Sequence, residues 1–402
     1  MAIRNVLRNK RRTFIAGSAI GIGLAALIFV DALVVGMETN MIGSATESFM
    51  GEAQIHRDGY RESYDVDQTI IHADSLATRL KDDNRVEAFT TRVMSFAMIT
   101  SPSGLSSVSM VGVNPETERY LSRIDEAIIE GEYFEGESAR NILIGDDLAD
   151  LLESEIGSRI VLTVSQSGTG DLSQEMFRVS GIFHFNIKEM DRGMVFIRQE
   201  RAQKMLGLEN RIHEIAIKFE DRSLSQNNDI DFWNIYSEYG NEAVSWTVLM
   251  PELKTALQLS SFSTAIVGVI LFAVVALGII NTLFMSLHER MFEFGVLRAI
   301  GTRPFAMGRL IVIEAAALAV IASIIGILLG FTVTAILSRV GIDYTGIEFS
   351  GVTFTELLYP ELQLSQFVFY PITVYIFTVL SSLYPAVYAA KLSPSDAMRR
   401  SV

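Results

Sequence analysis

Long apolar runs alternate with mixed segments along this chain, and the runs are the clearest feature of its pattern. They occupy residues 13–36, 262–287, 310–337 and 367–390. Each exceeds the ~20 helical residues that a bilayer crossing needs, so four transmembrane helices are predicted. Between the first two runs, residues 37–261 change character and read as short strands and helices. "RIVLTV" (159–164), "MFRVSGIF" (176–183), "GMVFI" (193–197) and "EIAIKF" (214–219) are rich in Val, Ile and Phe and predict strands. "DDLADLLESE" and "RQERAQKMLGL" predict helices, and "QSGTGDLSQ" (166–174) a hairpin loop. The expected fold is an α-helical membrane protein with four transmembrane helices and a large mixed α+β domain between helices 1 and 2. The remaining pieces are a basic N-terminal segment (1–12), a connection (288–309), a loop (338–366) and a tail (391–402).

The helical period continues past the first run. Met37, Met41, Ile42, Phe49 and Met50 share one face of a helix extended beyond the lipid, which predicts a stalk. On the return, "LMPELKTALQLSSF" predicts a second stalk, with Pro251 at its start. Either the two stalks pack on each other or they pack on a partner subunit.

Charge changes the picture by giving it a direction. Residues 37–261 hold 20 Lys/Arg and 38 Asp/Glu, a net of −18, whereas the short flanks are basic: five cations in 1–12, four in 288–309 and three in 391–402. Short Lys/Arg-rich flanks stay cytoplasmic, and long translocated domains largely escape that rule. Both termini and the 288–309 connection are therefore expected inside, with the acidic block and the 338–366 loop outside. A cleaved signal peptide competes for the first run, but 24 residues exceed a typical h-region and no A-x-A site follows. With no cysteine, the outward domain must be stable through its own core. Its acidity argues against nucleic acid, whose binding relies on clustered Lys and Arg.

Within the runs, Gly17-x-x-x-Gly21 and Gly326-x-x-x-Gly330 allow close helix approach, a packing pattern. Asp31 and Glu314 lie near the ends of the first and third runs, where an ionisable side chain is costly and either serves a function, snorkels or pairs. No nucleotide-cradling loop, metal-ligand spacing or nucleophile elbow occurs, and the five His are scattered. An enzyme is not expected, nor a metal or cofactor.

The connection "HERMFEFGVLRAIGTRPFAMGRL" is unusual for a short link between spans. Phe292, Val296 and Ile300 fall at i, i+4 and i+8, with Phe294 and Leu297 beside them. Glu289, Glu293 and Arg298 can ring this stripe with polar contacts, Gly295 and Gly301 allow close approach and a turn, and Pro304 starts the next element. The stripe seats in a protein cleft or lies on the inner lipid surface. Glu289 and Glu293 disfavour anionic headgroups.

In composition and order these segments resemble the FtsX/MacB/lipoprotein-releasing permeases of ABC transporters. The resemblance is carried by "MAIRNVLRNKRRTFIAGSAIGIGLAALIFV", "VGVNPETERYLSRIDEAIIEGEYF", "NILIGDDLADLLESEIGSRIVLTV", "FRVSGIFHFNIKEMDRGMVFIRQERAQKMLGL", "ERMFEFGVLRAIGTRPFAMGRLIVIEAAALAVIASIIGILLG" and "YPAVYAAKLSPSDAMRR". It implies a multi-pass protein of a bacterial inner membrane whose 288–309 connection holds a coupling helix for a separate ATPase. That ATPase would be present in two copies and would bind the ATP and Mg. A second permease copy or a homologous permease completes such a complex. Length and a single outward domain resemble the lipoprotein-releasing members best, which implies a lipoprotein or other lipidic substrate in the outer leaflet and admits a periplasmic carrier or adaptor. The stalk face of Met37, Met41, Ile42, Phe49 and Met50 then either lines a pocket for acyl chains or is core packing. A regulator of an envelope hydrolase and a MacB-like efflux subunit are the alternatives within the resemblance.

Overall fold

The computed structural model describes residues 10–134, 138–289, 291–344, 348–349, 352–353 and 357–391. Two compact units make up the chain: a helical unit (Met1–Asn40, Leu257–Tyr344, Glu356–Val402) and an α/β unit (Met41–Ala256 with Thr345–Thr355).

The helical unit is built on α1 (Lys10–Ala45), α2 (Pro251–Glu289), a short α3 (Met291–Ala299), α4 (Pro304–Val340) and α5 (Leu364–Lys391). All but α3 are long and apolar enough to cross a membrane. At a 1.5 Å rise, the 36 residues of α1 extend about 54 Å, well beyond a ~30 Å hydrocarbon layer. Both α1 and α2 thus have the length of a span plus a stalk. Ile20, Leu24 and Ile28 of α1 meet Val275, Ile279 and Leu283 of α2, Ala315 and Ala322 of α4 and Val374 of α5 in one buried cluster. Small residues set the spacing. A Cβ on Gly21 would stand 2.9 Å from Cγ2 of Ile325, and one on Gly326 2.7 Å from Cδ2 of Leu24. Gly17 faces Ile321 and Gly330 faces Ile28, so both glycine pairs lie in the α1–α4 contact.

One sheet of the α/β unit holds ten strands: β1 (Ala53–Arg57), β2 (Val86–Thr100), β3 (Leu105–Val113), β4 (Ile128–Gly131), β5 (Asn141–Gly145), β6 (Arg159–Ser165), β7 (Leu172–Phe183), β8 (Met194–Arg198), β9 (Glu214–Phe219) and β10 (Asn241–Ser245). Their order is β10-β1-β9-β2-β3-β8-β5-β7-β4, and β6 pairs with both β2 and β7. The strands β2-β3-β8-β5-β7-β6 therefore close into a ring, and β10-β1-β9 extend from it as an open sheet. β2 serves both lobes. Its first part pairs with β9 through Arg92↔Glu214, and its second part pairs with β3 from Arg92↔Val113 onward. Along β6, Ile160, Leu162 and Val164 point inward and their neighbours outward, the alternation of a sheet wetted on one face. Boundaries differ from expectation in that β7 begins at Leu172, inside the run expected as a loop, which shortens the turn to 166–171, and the helix expected over "DDLADLLESE" ends at Leu151.

Candidate functional site

The helical connection after α2 is shaped by three local rules. Gly301 has φ +94°, a conformation that L side chains rarely adopt, and it ends α3. The N–H groups of Ile300 and Thr302 donate to the carbonyls of Val296 (3.1 Å) and Leu297 (3.0 Å), closing the last turn. Pro304 at the first position of α4 needs no N–H partner there. The end of α2, the start of α4 and the end of α5 share a buried cluster of Leu287, Met307, Ile311, Ala386 and Ala389.

One side of α3, Met291 and Gly295, is buried. The other side is apolar and open: Phe292 is 52% exposed, Leu297 38% and Ile300 78%, with Val296 half-buried between them. Phe305, in the first turn of α4, adds to the open apolar surface at 82% exposure. Sequence periodicity missed Phe305, since it belongs to the next helix; an aromatic residue in a basic flank was the available signal. Glu293 is exposed, while the side chains of Glu289, Phe294 and Arg298 lie outside the described residues. Among the described residues, four large apolar side chains stand exposed on this short connection, an arrangement found where a protein meets a partner or a membrane.

A second feature of the helical unit is a cavity of about 540 Å³. Its walls include Leu27, Val34 and Val35 of α1, Val269 and Phe272 of α2 and Phe369 of α5, and Asp31, Glu38, Ser261, Thr264 and Tyr370 supply polar groups. The Tyr370 hydroxyl donates to Asp31 (2.8 Å), and Ser261 donates to Glu38 (2.9 Å). Asp31 is therefore hydrogen-bonded and half-buried; Glu314 is half-buried in α4, apart from the residues lining this cavity. The polar groups sit among apolar walls, a lining suited to an amphipathic molecule.

The stalk residues do not form a single free face. After Ala45 the helix widens into a π turn, Thr46–Met50, which shifts the register. Met41 and Phe49 are buried, Phe49 in a cluster with Val111, Phe183 and Phe196, whereas Met37, Ile42 and Met50 are half-buried. Phe49 is core packing.

One cluster could not be read from spacing. His184, at the end of β7, approaches Asp146 through Nδ1 (2.8 Å) and Asp191 (3.7 Å), and the three could together hold a metal ion. The Asp191 carboxylate already accepts from the N–H groups of Phe185 (2.7 Å) and Ile187 (3.1 Å), so the cluster also clamps that turn. Burial raises the Asp191 carboxyl above its ordinary range, against the pull of those N–H groups.

A family model described as MacB-like periplasmic core domain matches residues 13–227, and one described as FtsX-like permease C-terminal matches residues 265–394. The lipoprotein-releasing system transmembrane protein LolC of Xylella fastidiosa (strain Temecula1) is 24% identical over 277 residues, 64% of each chain. The chain thus spans just under two thirds of that relative's length. LolE of Haemophilus influenzae is 23% identical over 340 residues, 82% of this chain and 81% of that one. Among solved structures, the periplasmic region of MacB from Actinobacillus actinomycetemcomitans matches at a TM-score of 0.34 and 10% identity, covering 51% of this chain and 94% of that one.

Proposed function

Since the chain belongs to the permease family that joins a MacB-like periplasmic core to an FtsX-like C-terminal region, we propose that it is the membrane subunit of an ABC transporter. In this reading a separate cytoplasmic ATPase, in two copies, docks on α3, and a second permease completes the complex. The open apolar surface of Phe292, Leu297, Ile300 and Phe305 is the observation that carries the proposal. A stripe of this kind suits a cleft in a protein partner. ATP and Mg belong to that partner, and this chain contributes no catalytic group.

The orientation follows from the basic flanks: termini and α3 on the cytoplasmic side of a bacterial inner membrane, the acidic α/β unit in the periplasm. The substrate we infer is a lipoprotein or another lipidic molecule extracted from the outer leaflet. The cavity beside Asp31 and Tyr370 supports this, since its size and mixed lining accommodate acyl chains with a polar end.

The docking reading is tested by introducing Phe292→Asp together with Ile300→Asp and isolating the complex from native membranes. The expected result is a chain that melts as wild type but no longer retains an ATPase. Undiminished ATPase recovery would sink the proposal.

A further inference from the structure

The π turn that ends α1 carries the stalk into the interior of the α/β unit. There a fully buried guanidinium meets it. Arg92 lies with Cζ 3.8 Å from the centre of the Phe49 ring, and Nη2 donates to the Phe49 carbonyl (2.6 Å). The other N–H groups reach to both lobes of the domain. Nε and Nη2 donate to Glu118 (3.1 and 2.6 Å), in the short helix that follows β3 of the ring. Nη1 donates to Glu214 (2.7 Å), the first residue of β9 in the open sheet. Arg92 is itself the residue at which β2 passes from one lobe to the other.

Covalent connectivity does not explain this arrangement. The stalk leads directly into β1, so the chain alone ties it to the open sheet. The ring begins two strands further along, at β2, with β9 between. The second stalk, by contrast, departs from edge strand β10, held through the Ala53↔Ser245 ladder with β1. Stability does not demand a charged group at this place either, because an apolar cluster of similar volume commonly serves as well as a buried ion triad. What the planar guanidinium adds is direction. Four hydrogen bonds from one rigid fork fix the position and angle of three elements at once, which apolar contacts leave free to slide. More exposed pairs brace the same turn from outside: Glu47 meets Arg123 (2.6 Å) and Arg222, and Arg222 also approaches Glu52 (3.2 Å).

We propose that Arg92 is the joint that carries displacement of the first stalk into the strand ring, so that the ring moves with the stalk during the ATP cycle. It is a positioning residue, and this inference rests on the transporter reading above.

The chain contains no cysteine, so labels at Ser44→Cys in the stalk and Leu172→Cys in the ring enter without background. The experiment measures their separation by pulsed electron paramagnetic resonance in the complete permease–ATPase complex, nucleotide-free and trapped with ATP and vanadate. With Arg92 intact the distribution is expected to be narrow and the same in both states. With Arg92→Lys, which keeps the charge but loses the fork, we expect ATP turnover within twofold of wild type and a distribution that broadens or shifts on trapping. Should Arg92→Lys fail to fold, the neutral triple variant Arg92→Met, Glu118→Gln, Glu214→Gln takes its place with the same expectation. An unchanged, narrow distribution in the variant overturns the joint, as does a wild-type separation that itself changes on trapping. A wild-type chain that retains no ATPase overturns the transporter reading, and the joint with it.

Discussion

Replacing Gly326 by alanine sets a methyl group where α1 and α4 leave no room for one. The new Cβ would stand 2.7 Å from Cδ2 of Leu24 and 2.8 Å from its Cβ and Cγ, against an ordinary carbon–carbon contact of about 3.5–4.0 Å. Leu24 is fully buried, and its Cβ is fixed by the backbone, so no change of rotamer relieves all three contacts. The helices must part by roughly 1 Å, and overpacking of that size costs about 1–3 kcal/mol. Leu24→Ala alone leaves a cavity and costs about 2–5 kcal/mol. In the double variant one loss partly fills the other, so the combined loss falls short of the sum by about 1 kcal/mol or more. The assay is unfolding of the purified chain in detergent, followed by circular dichroism, for wild type, both single variants and the double. Gly268→Ala and Gly278→Ala in α2 serve as controls, because a Cβ at either meets nothing within 4 Å. A Gly326→Ala chain as stable as these controls, or a strictly additive double variant, would refute the close α1–α4 approach.

Other expectations follow from single groups. Gly301→Ala strains a backbone at φ +94° by about 1–3 kcal/mol and re-aims Ile300, so ATPase retention falls in co-purification; full retention would count against the turn's role. His213 accepts from the Met94 N–H through Nδ1 (3.0 Å), leaving Nε2 to donate to the Val66 carbonyl (3.0 Å), and burial lowers its pKa. The folded state holds the ring neutral, so this contribution is complete above the ordinary histidine pKa of about 6.5 and is lost as pH falls from there toward the lowered value. Melting of wild type should therefore fall more steeply between pH 7 and 5 than that of His213→Gln; parallel curves would contradict this. Tyr370→Phe removes one hydrogen bond to Asp31 and should destabilise by less than about 2 kcal/mol, with Asp31→Asn adding little in the double variant.

The parts of this fold that were legible in the sequence are those set by length and local period. Four helices follow from apolar runs too long for anything else, and the stripe on α3 follows from a period of about four. The fifteen-residue strand β2 was not legible, because Arg92 and Val93 are both buried and interrupt its alternation. That break marks the passage from open sheet to ring, a property of the tertiary pairing. The first residues of β7 were hidden for a similar reason: with Leu172, Gln174 and Met176 exposed, they carry no apolar run. The stalk face is not continuous at Phe49, because a π turn there replaces the α-helical register. Asp146, His184 and Asp191 come from separate elements and meet only once β5 and β7 have paired.

In the proposed transporter, α3 is the point at which an ATPase drives this chain, with a lipidic molecule as the cargo. Mass spectrometry of the complex, purified gently from its native membrane and read for proteins and lipids together, tests it most directly. The account predicts an ABC ATPase in about equal numbers with permease subunits, accompanied by an acylated protein or lipid. Repeated preparations that retain other membrane complexes but bring no ATPase with this chain would contradict it.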